Sequence, residues 1–190
     1  MKPLAAGIIA GVGAFLLSLP CQAAGLRDQA AEYRAQGYER QQQGDLEGAL
    51  SLYQKAAALD PSYASPQNDA GVVYEAMGRT ADARAAYEQA LTLDPNFLQA
   101  HGNLAMLYER IGEKEKAIYH WLQRYQAGDP YDPGTARAEE RLAALGVLEL
   151  YPGLKGKLYT RRHLVEKEFE AHDQSMKEYH AVTEPRWRLP

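Results

Sequence analysis

GDLEGALSLYQKAAALDPSYA, residues 44–64, returns as GRTADARAAYEQALTLDPNFL, residues 78–98, moved along by 34 positions. A third copy opens at Gly112. Several columns agree at this one offset: Gly44, Gly78 and Gly112; Ala49, Ala83 and Ala117; Tyr53, Tyr87 and Trp121. Ala56 pairs with Ala90, Tyr74 with Tyr108, Gly37 with Gly71, and Leu59-Asp60-Pro61 with Leu93-Asp94-Pro95. A fixed period of this length marks a stacked supersecondary unit that cannot bury its apolar face alone. The columns assign roles within the unit. Gly37 and Gly71, with Ala105 in the third copy, let a second helix come close, as do Ala49, Ala83 and Ala117. Tyr53, Tyr87 and Trp121 are bulky plugs between neighbouring units. Gly44, Gly78 and Gly112 end the first helix in the left-handed conformation. Pro61 and Pro95 stand just past the second helix, which they cannot continue.

These columns resemble the tetratricopeptide repeat family, whose unit is 34 residues of helix, turn and helix. The resemblance implies an all-α solenoid of three repeats, 30–63, 64–97 and 98–131. The third repeat departs from the pattern, with Arg124 where the first two have Ala56 and Ala90, and its proline at Pro130 is displaced by one place. Gln36 and Arg40 are polar where the first helix of repeat one is usually apolar. Both departures suit the ends of an array, which meet water rather than another repeat.

Upstream, Leu4–Leu19 is an apolar run preceded by a single charge, Lys2, and followed by Pro20-Cys21-Gln22-Ala23. It is shorter than the roughly 20 residues of a membrane span. A basic start, an apolar middle and a small-residue end describe a secretory signal peptide, residues 1–23, with the run broken at Pro20 and cleavage after Ala23. The rival is lipidation of Cys21, although Pro20 replaces the small residue a lipoprotein carries before its cysteine. The expected location is the periplasm or outside the cell, with membrane attachment only if Cys21 is lipidated.

Downstream, Thr135–Leu145 reads as a capping helix, with Ala138, Leu142 and Leu145 on one face and Gly146 past its end. The repeat domain therefore spans 24–146 and a C-terminal extension spans 147–190. Tyr151-Pro152-Gly153 reads as a turn. A long amphipathic helix is expected over 160–181, with Val165, Phe169, His172, Met176 and Tyr179 as its apolar stripe. It must dock on the repeats or on another chain. Lys155, Lys157, Arg161 and Arg162 form a basic cluster read as solvated, and Arg186-Trp187-Arg188 lies in an irregular tail.

Composition narrows the function. At 46 % hydrophobic and 24 % charged residues the chain is not disordered by composition. A net charge of −4 argues against nonspecific nucleic-acid binding, which depends on neutralising phosphates. One cysteine excludes a disulfide framework within the chain. No zincin helix, phosphate loop or nucleophile elbow occurs, so no enzyme and no cofactor are expected. His101 reads as a packed core histidine. His172, Met176 and His180 stack at four-residue spacing and carry an alternative reading as a copper carrier or enzyme accessory. The outer two lie about 12 Å apart along a helix, too far for one ion, so no metal is expected.

The resemblance implies that first helices line a concave groove. By register it shows Arg34, Tyr38 and Gln41 from repeat one, Asn68, Asp69, Val72 and Glu75 from repeat two, and Asn103, Met106 and Glu109 from repeat three. Some relatives grip a partner's terminal carboxylate with cations and asparagines. Here Asp69 and Tyr38 replace clamp residues, so that activity is not expected. The mixture of amide, aromatic and acid suits an extended peptide or a helix laid in the groove. The reading is an exported scaffold or envelope assembly factor with a protein or peptide partner, its oligomeric state open.

Overall fold

A computed structural model describes residues 19–150 and eight further positions: 153, 156, 167, 170, 171, 173, 174 and 177. The described residues form helices and turns with no strand. They fall into two compact units, Met1–Pro95 and Asn96–Pro190.

The first unit holds α1 (Leu19–Gln42), α2 (Leu46–Leu59), α3 (Ala64–Ala76) and α4 (Thr80–Leu93). Gly44 and Gly78 take φ of 81° and 76° directly after first helices. That left-handed turn lets the Asp45 N–H donate to the Arg40 carbonyl at 3.0 Å and the Arg79 N–H donate to that of Tyr74 at 2.8 Å. Otherwise orphaned end carbonyls are thereby satisfied. Asp45 then caps α2 by accepting from the Gly48 N–H at 3.0 Å.

Packing follows the columns of the repeat. Ala49, Ala56, Ala83 and Ala90 are completely buried. A Cβ added to Gly37 would lie 2.7 Å from the Tyr53 ring, and one on Gly71 would run into the Tyr87 ring. Each glycine is thus the seat for the aromatic of its own helix pair. Tyr53 also joins Ala49, Ala70 and Val73 in one apolar cluster, with Leu46, Leu50, Tyr74 and Met77 around it. The plug therefore links α2 to α3 of the next repeat as well as filling its own.

The second unit holds α5 (Leu98–Arg110), α6 (Lys114–Ala127), α7 (Pro133–Ala144) and α8 (Val147–Leu150). Gly112 and Gly146 repeat the positive-φ exit after α5 and α7, at 83° and 75°. Leu104, Leu107, Trp121, Tyr125 and Leu142 form its buried apolar set. Arg124, the departure from alanine, is buried and pairs with Asp132. Its guanidinium lies where a Cβ on Gly134 would be. Asp132 also accepts from the Thr135 N–H at 2.9 Å, capping α7. The substitution therefore fastens the capping helix to the last repeat.

The helix α1 spans Leu19–Gln42, so the expected boundary after residue 23 falls within it. Two expectations are corrected. The capping helix starts at Pro133, two residues earlier than read, because Asp132 is the cap. The extension opens with the short helix α8, whose Val147 and Leu148 are buried, and Gly153, expected in a turn, is helical.

The apolar run up to residue 18, the stripe residues Val165, Phe169, His172, Met176 and Tyr179, the basic cluster and the tail lie outside the described residues. Within 160–181 the described positions Lys167, Glu170, Ala171, Asp173, Gln174 and Lys177 are helical and exposed. Asp173 and Lys177 pair at 2.6 Å. Among the described residues no helix is long and apolar enough to cross a membrane.

Candidate binding faces

In each repeat the aromatic of the second helix makes a polar tie to the first. The Tyr53 hydroxyl donates to Gln41 at 2.8 Å, the Tyr87 hydroxyl to Glu75 at 2.7 Å, and the Trp121 indole N–H to Glu109 at 2.5 Å. Donors and acceptors both recur at the 34-residue period. A tyrosine or tryptophan seated in an apolar cluster must satisfy its polar atom, and the last turn of the first helix supplies the acceptor. Burial, followed by the nearby Asp69 charge, pushes the Tyr53 hydroxyl up to about 12. Gln41, Glu75 and Glu109, read as ligand-facing, therefore also hold their own repeats together.

On the first unit, α1 and α3 meet through polar residues. Arg34 Nε donates to Asp69 Oδ2 at 2.5 Å, and Asn68 Nδ2 donates to the other carboxylate oxygen at 3.2 Å. Arg34 also reaches the Tyr63 hydroxyl at 3.5 Å. Burial pulls the Arg34 guanidinium down, but the Asp69 hydrogen bond and charge outweigh it and leave the group raised. Asn68 is buried, and Val72 is half-buried on α3. Tyr38 projects from α1 at 57 % exposure. At the far end of the α1 contact, Arg27 pairs with Asp60 at 2.5 Å and stacks 3.8 Å over the Tyr63 ring. This holds the part of α1 that precedes repeat one against the α2–α3 turn.

On the second unit, Met106 is 39 % exposed on α5, and Asn103 is half-buried. Glu109 takes a second donor, Arg141 of α7, through both its Nε and Nη2. Burial pushes the Glu109 carboxyl up, yet the Arg141 and Trp121 hydrogen bonds prevail and hold it below the usual carboxylate range. The capping helix is thus tied at its start through Arg124–Asp132 and near its end through Glu109–Arg141.

His101 is buried, as expected, and its Nδ1 lies 2.9 Å from that of His120. The ring centroids are 5.2 Å apart, so both nitrogens lie close to the line joining the rings. That is the geometry of one shared proton, with no room for an ion between the two lone pairs. Burial, then the neighbouring His101, pulls His120 down to about 4, so His120 is neutral at pH 7. The Tyr108 ring stacks on His120 and the Tyr119 ring meets it edge-on. Among the described residues no group of three or more histidine, cysteine or acidic side chains is placed to hold a metal. His172, Met176 and His180 lie outside the described residues.

The structure therefore brings Arg34, Asn68 and Asp69 together, and it ties Gln41, Glu75 and Glu109 to their own repeats. Tyr38 and Met106 project from the first helices. Reading the sequence for ligands missed the ties. Their only signal was that acceptor and aromatic columns share one period.

Comparison with known proteins agrees with this architecture. Residues 68–133 match the family described as tetratricopeptide repeat, and residues 37–78 match the TPR repeat. No curated protein sequence matches the chain. Among solved structures, the type III secretion translocator chaperone SycD of Yersinia enterocolitica superposes with a TM-score of 0.57 at 18 % identity, covering 62 % of this chain and 90 % of that one. The Arabidopsis OM64 TPR domain gives 0.56 at 15 % identity, covering 63 % and 98 %. The second TPR domain of human RPAP3, in complex with an HSP70 peptide, gives 0.54 at 18 % identity, covering 63 % and 98 %. At these identities the likeness is one of fold. The 34-residue columns, the glycine-terminated first helices and the matches over 37–133 converge: this part of the chain consists of tetratricopeptide repeats.

Proposed function

We propose that the protein is a non-catalytic scaffold of the cell envelope that holds a segment of a partner protein against the first-helix faces of its repeats. One observation carries the reading. The side chains that hold each repeat together are satisfied internally, while Tyr38 and Met106 stand out on first helices without serving the core. Large apolar side chains offered on an otherwise polar face supply contact area for a partner. That a similar fold, the RPAP3 domain, was solved with a peptide supports the same use of the surface.

Partner capture from an envelope fraction tests it. Tyr38→Asp and Met106→Asp should each reduce capture while leaving thermal melting unchanged. Retention of every partner by both variants would refute the assignment of these faces.

Export rests on the apolar run Leu4–Leu19 and the small residues Cys21 and Ala23. The intact mass of the envelope-derived protein should begin at Ala24. A mass that retains Cys21 with acyl chains would establish a membrane-attached lipoprotein instead.

A further inference from the structure

We propose that His101 and His120 form an acid-operated latch between α5 and α6: the two helices stay closed while the facing nitrogens share one proton, and part when each nitrogen carries its own. The device belongs to the second unit itself and does not depend on which face holds a partner.

The repeat does not call for this pair. Moved back by 34 and 68 positions, His120 falls on Ala86 and Leu52, and His101 falls on Gln67 and Tyr33. Ala86 is buried and Leu52 half-buried, and neither has a proton to gain, so the first two repeats close without such a pair. In the third, the two Nδ1 atoms lie 2.9 Å apart, with His101 buried and His120 half-buried. A gap of that length admits one hydrogen. Two N–H groups aimed at each other would overlap, and two imidazolium charges would repel across a site largely shut off from water. One ring must leave before a second proton settles on a facing nitrogen.

The surroundings select His120 as the ring that leaves. The buried Tyr108 ring of α5 stacks on one side of it, and the exposed Tyr119 ring of α6 meets it edge-on, which marks the short path to water. The charged neighbours do not hold an imidazolium in place. Lys116, one turn earlier on α6, is a further cation and sits 5.3 Å from the centre of the Tyr108 ring. Arg124, one turn later, is paired with Asp132, and the Glu109 carboxylate of α5 is given to Trp121 and to Arg141 of α7. Burial and then His101 are what hold the group down, so the pair takes up its last proton by opening.

Amide hydrogen exchange of the full chain, read by mass spectrometry and corrected for the intrinsic effect of pH, tests the latch at pH 7 and at about pH 4. A depression from 6.5 to about 4 raises the open population roughly a hundredfold between those conditions. Segments of α5 and α6 should therefore exchange at least about tenfold faster at the lower pH. His120→Leu, which restores the residue of repeat one, should abolish that acceleration. Where His120→Leu melts early, His120→Gln keeps a polar group in place and should do the same. His101→Gln, which restores the residue of repeat two, should lessen the acceleration, since the repelling partner is gone. All three variants keep Glu109, so opening caused by its protonation would persist in them. The latch is overturned if α5 and α6 gain nothing in acid, or if the acceleration survives in a folded His120 variant. It is equally overturned if His101→Gln leaves the acceleration unchanged, because His120 would then act as a buried base alone.

Discussion

Replacing Asp132 with alanine should destabilise the second unit by about 4 kcal/mol, more than replacing its partner Arg124. The Arg124 side chain is 10 % exposed and that of Asp132 is 36 % exposed. Removing one member of a buried ion pair costs about 3–5 kcal/mol, because the other is left charged and unpaired. Asp132 sits at the edge, so water enters its vacated place and the lower end, about 3 kcal/mol, applies. Asp132 also caps α7, and loss of a cap adds about 1 kcal/mol. Arg124→Ala behaves differently. It restores the alanine of the earlier repeats, and Asp132 keeps both its cap and its water. What is lost is the packing of the arginine stem, about 1–2 kcal/mol. The double variant should therefore be more stable than Asp132→Ala alone, since no buried cation remains. Urea unfolding followed by Trp121 fluorescence measures this, with Trp187→Phe in every variant so that Trp121 is the single reporter. If Asp132→Ala is no worse than Arg124→Ala, or if the double variant recovers nothing, Arg124 is not the buried charge that this reasoning requires.

Acidification should lower the melting temperature in two overlapping windows. His120 has its folded pKa depressed to about 4 from 6.5, so the unfolded chain takes up the proton first and stability falls as pH drops from 6.5 towards 4. His120→Gln should flatten that limb. Glu109 is depressed below its ordinary 4.5, so its contribution is present above that value and disappears as pH falls through the lower folded pKa. Glu109→Gln should flatten the lower limb in a pH series of thermal melts. Gly37→Ala should cost about 1–2 kcal/mol in chemical denaturation. The added methyl meets the buried, tethered Tyr53 ring, and better helix propensity offsets only part of the overpacking. Tyr53→Phe should cost about 1 kcal/mol by leaving the Gln41 tie unmade; an unchanged midpoint would show the tie to be idle.

How far the sequence could be read depended on the range of each signal. The starts of α3 and α5, at residues 64 and 98, fall where the 34-residue columns put them, and Gly44, Gly78 and Gly112 take the backbone that their place demanded. These are local requirements written in single residues. Arg124 was visible as a departure from alanine, but its partner was not. Asp132 lies in the turn before α7, and only the path of residues 128–134 brings it back onto α6. Gln41, Glu75 and Glu109 were read as ligand-facing because the register of the resemblance puts them on the groove side of the first helices. Their donors stand twelve residues on, across a helical hairpin, a spacing that helical periodicity does not predict. Arg34 and Asp69 are one repeat and one residue apart, so neither the helix period nor the repeat period pairs them.

The two ties on α7 explain why the column pattern lapses after repeat three. A fourth repeat would need a small residue at position 124 for close helix approach and an acceptor at 109 committed only to its own aromatic. Both positions have been given to the cap: Arg124 reaches Asp132 at the start of α7, and Glu109 takes Arg141 near its end while still holding Trp121. Single helices of this length are marginal in water, so α7 needs such anchors to stay folded on the last pair. The same commitment bears on binding. Glu109 holds an aromatic and an arginine at once, which leaves its carboxylate with less capacity for a ligand. On the second unit a partner is therefore left chiefly with apolar contact at Met106, whereas on the first it meets Tyr38 beside a neutralised Arg34–Asp69 pair. The two faces should differ in salt dependence. Contact at Met106 should be indifferent to ionic strength, because it involves no charge for salt to screen.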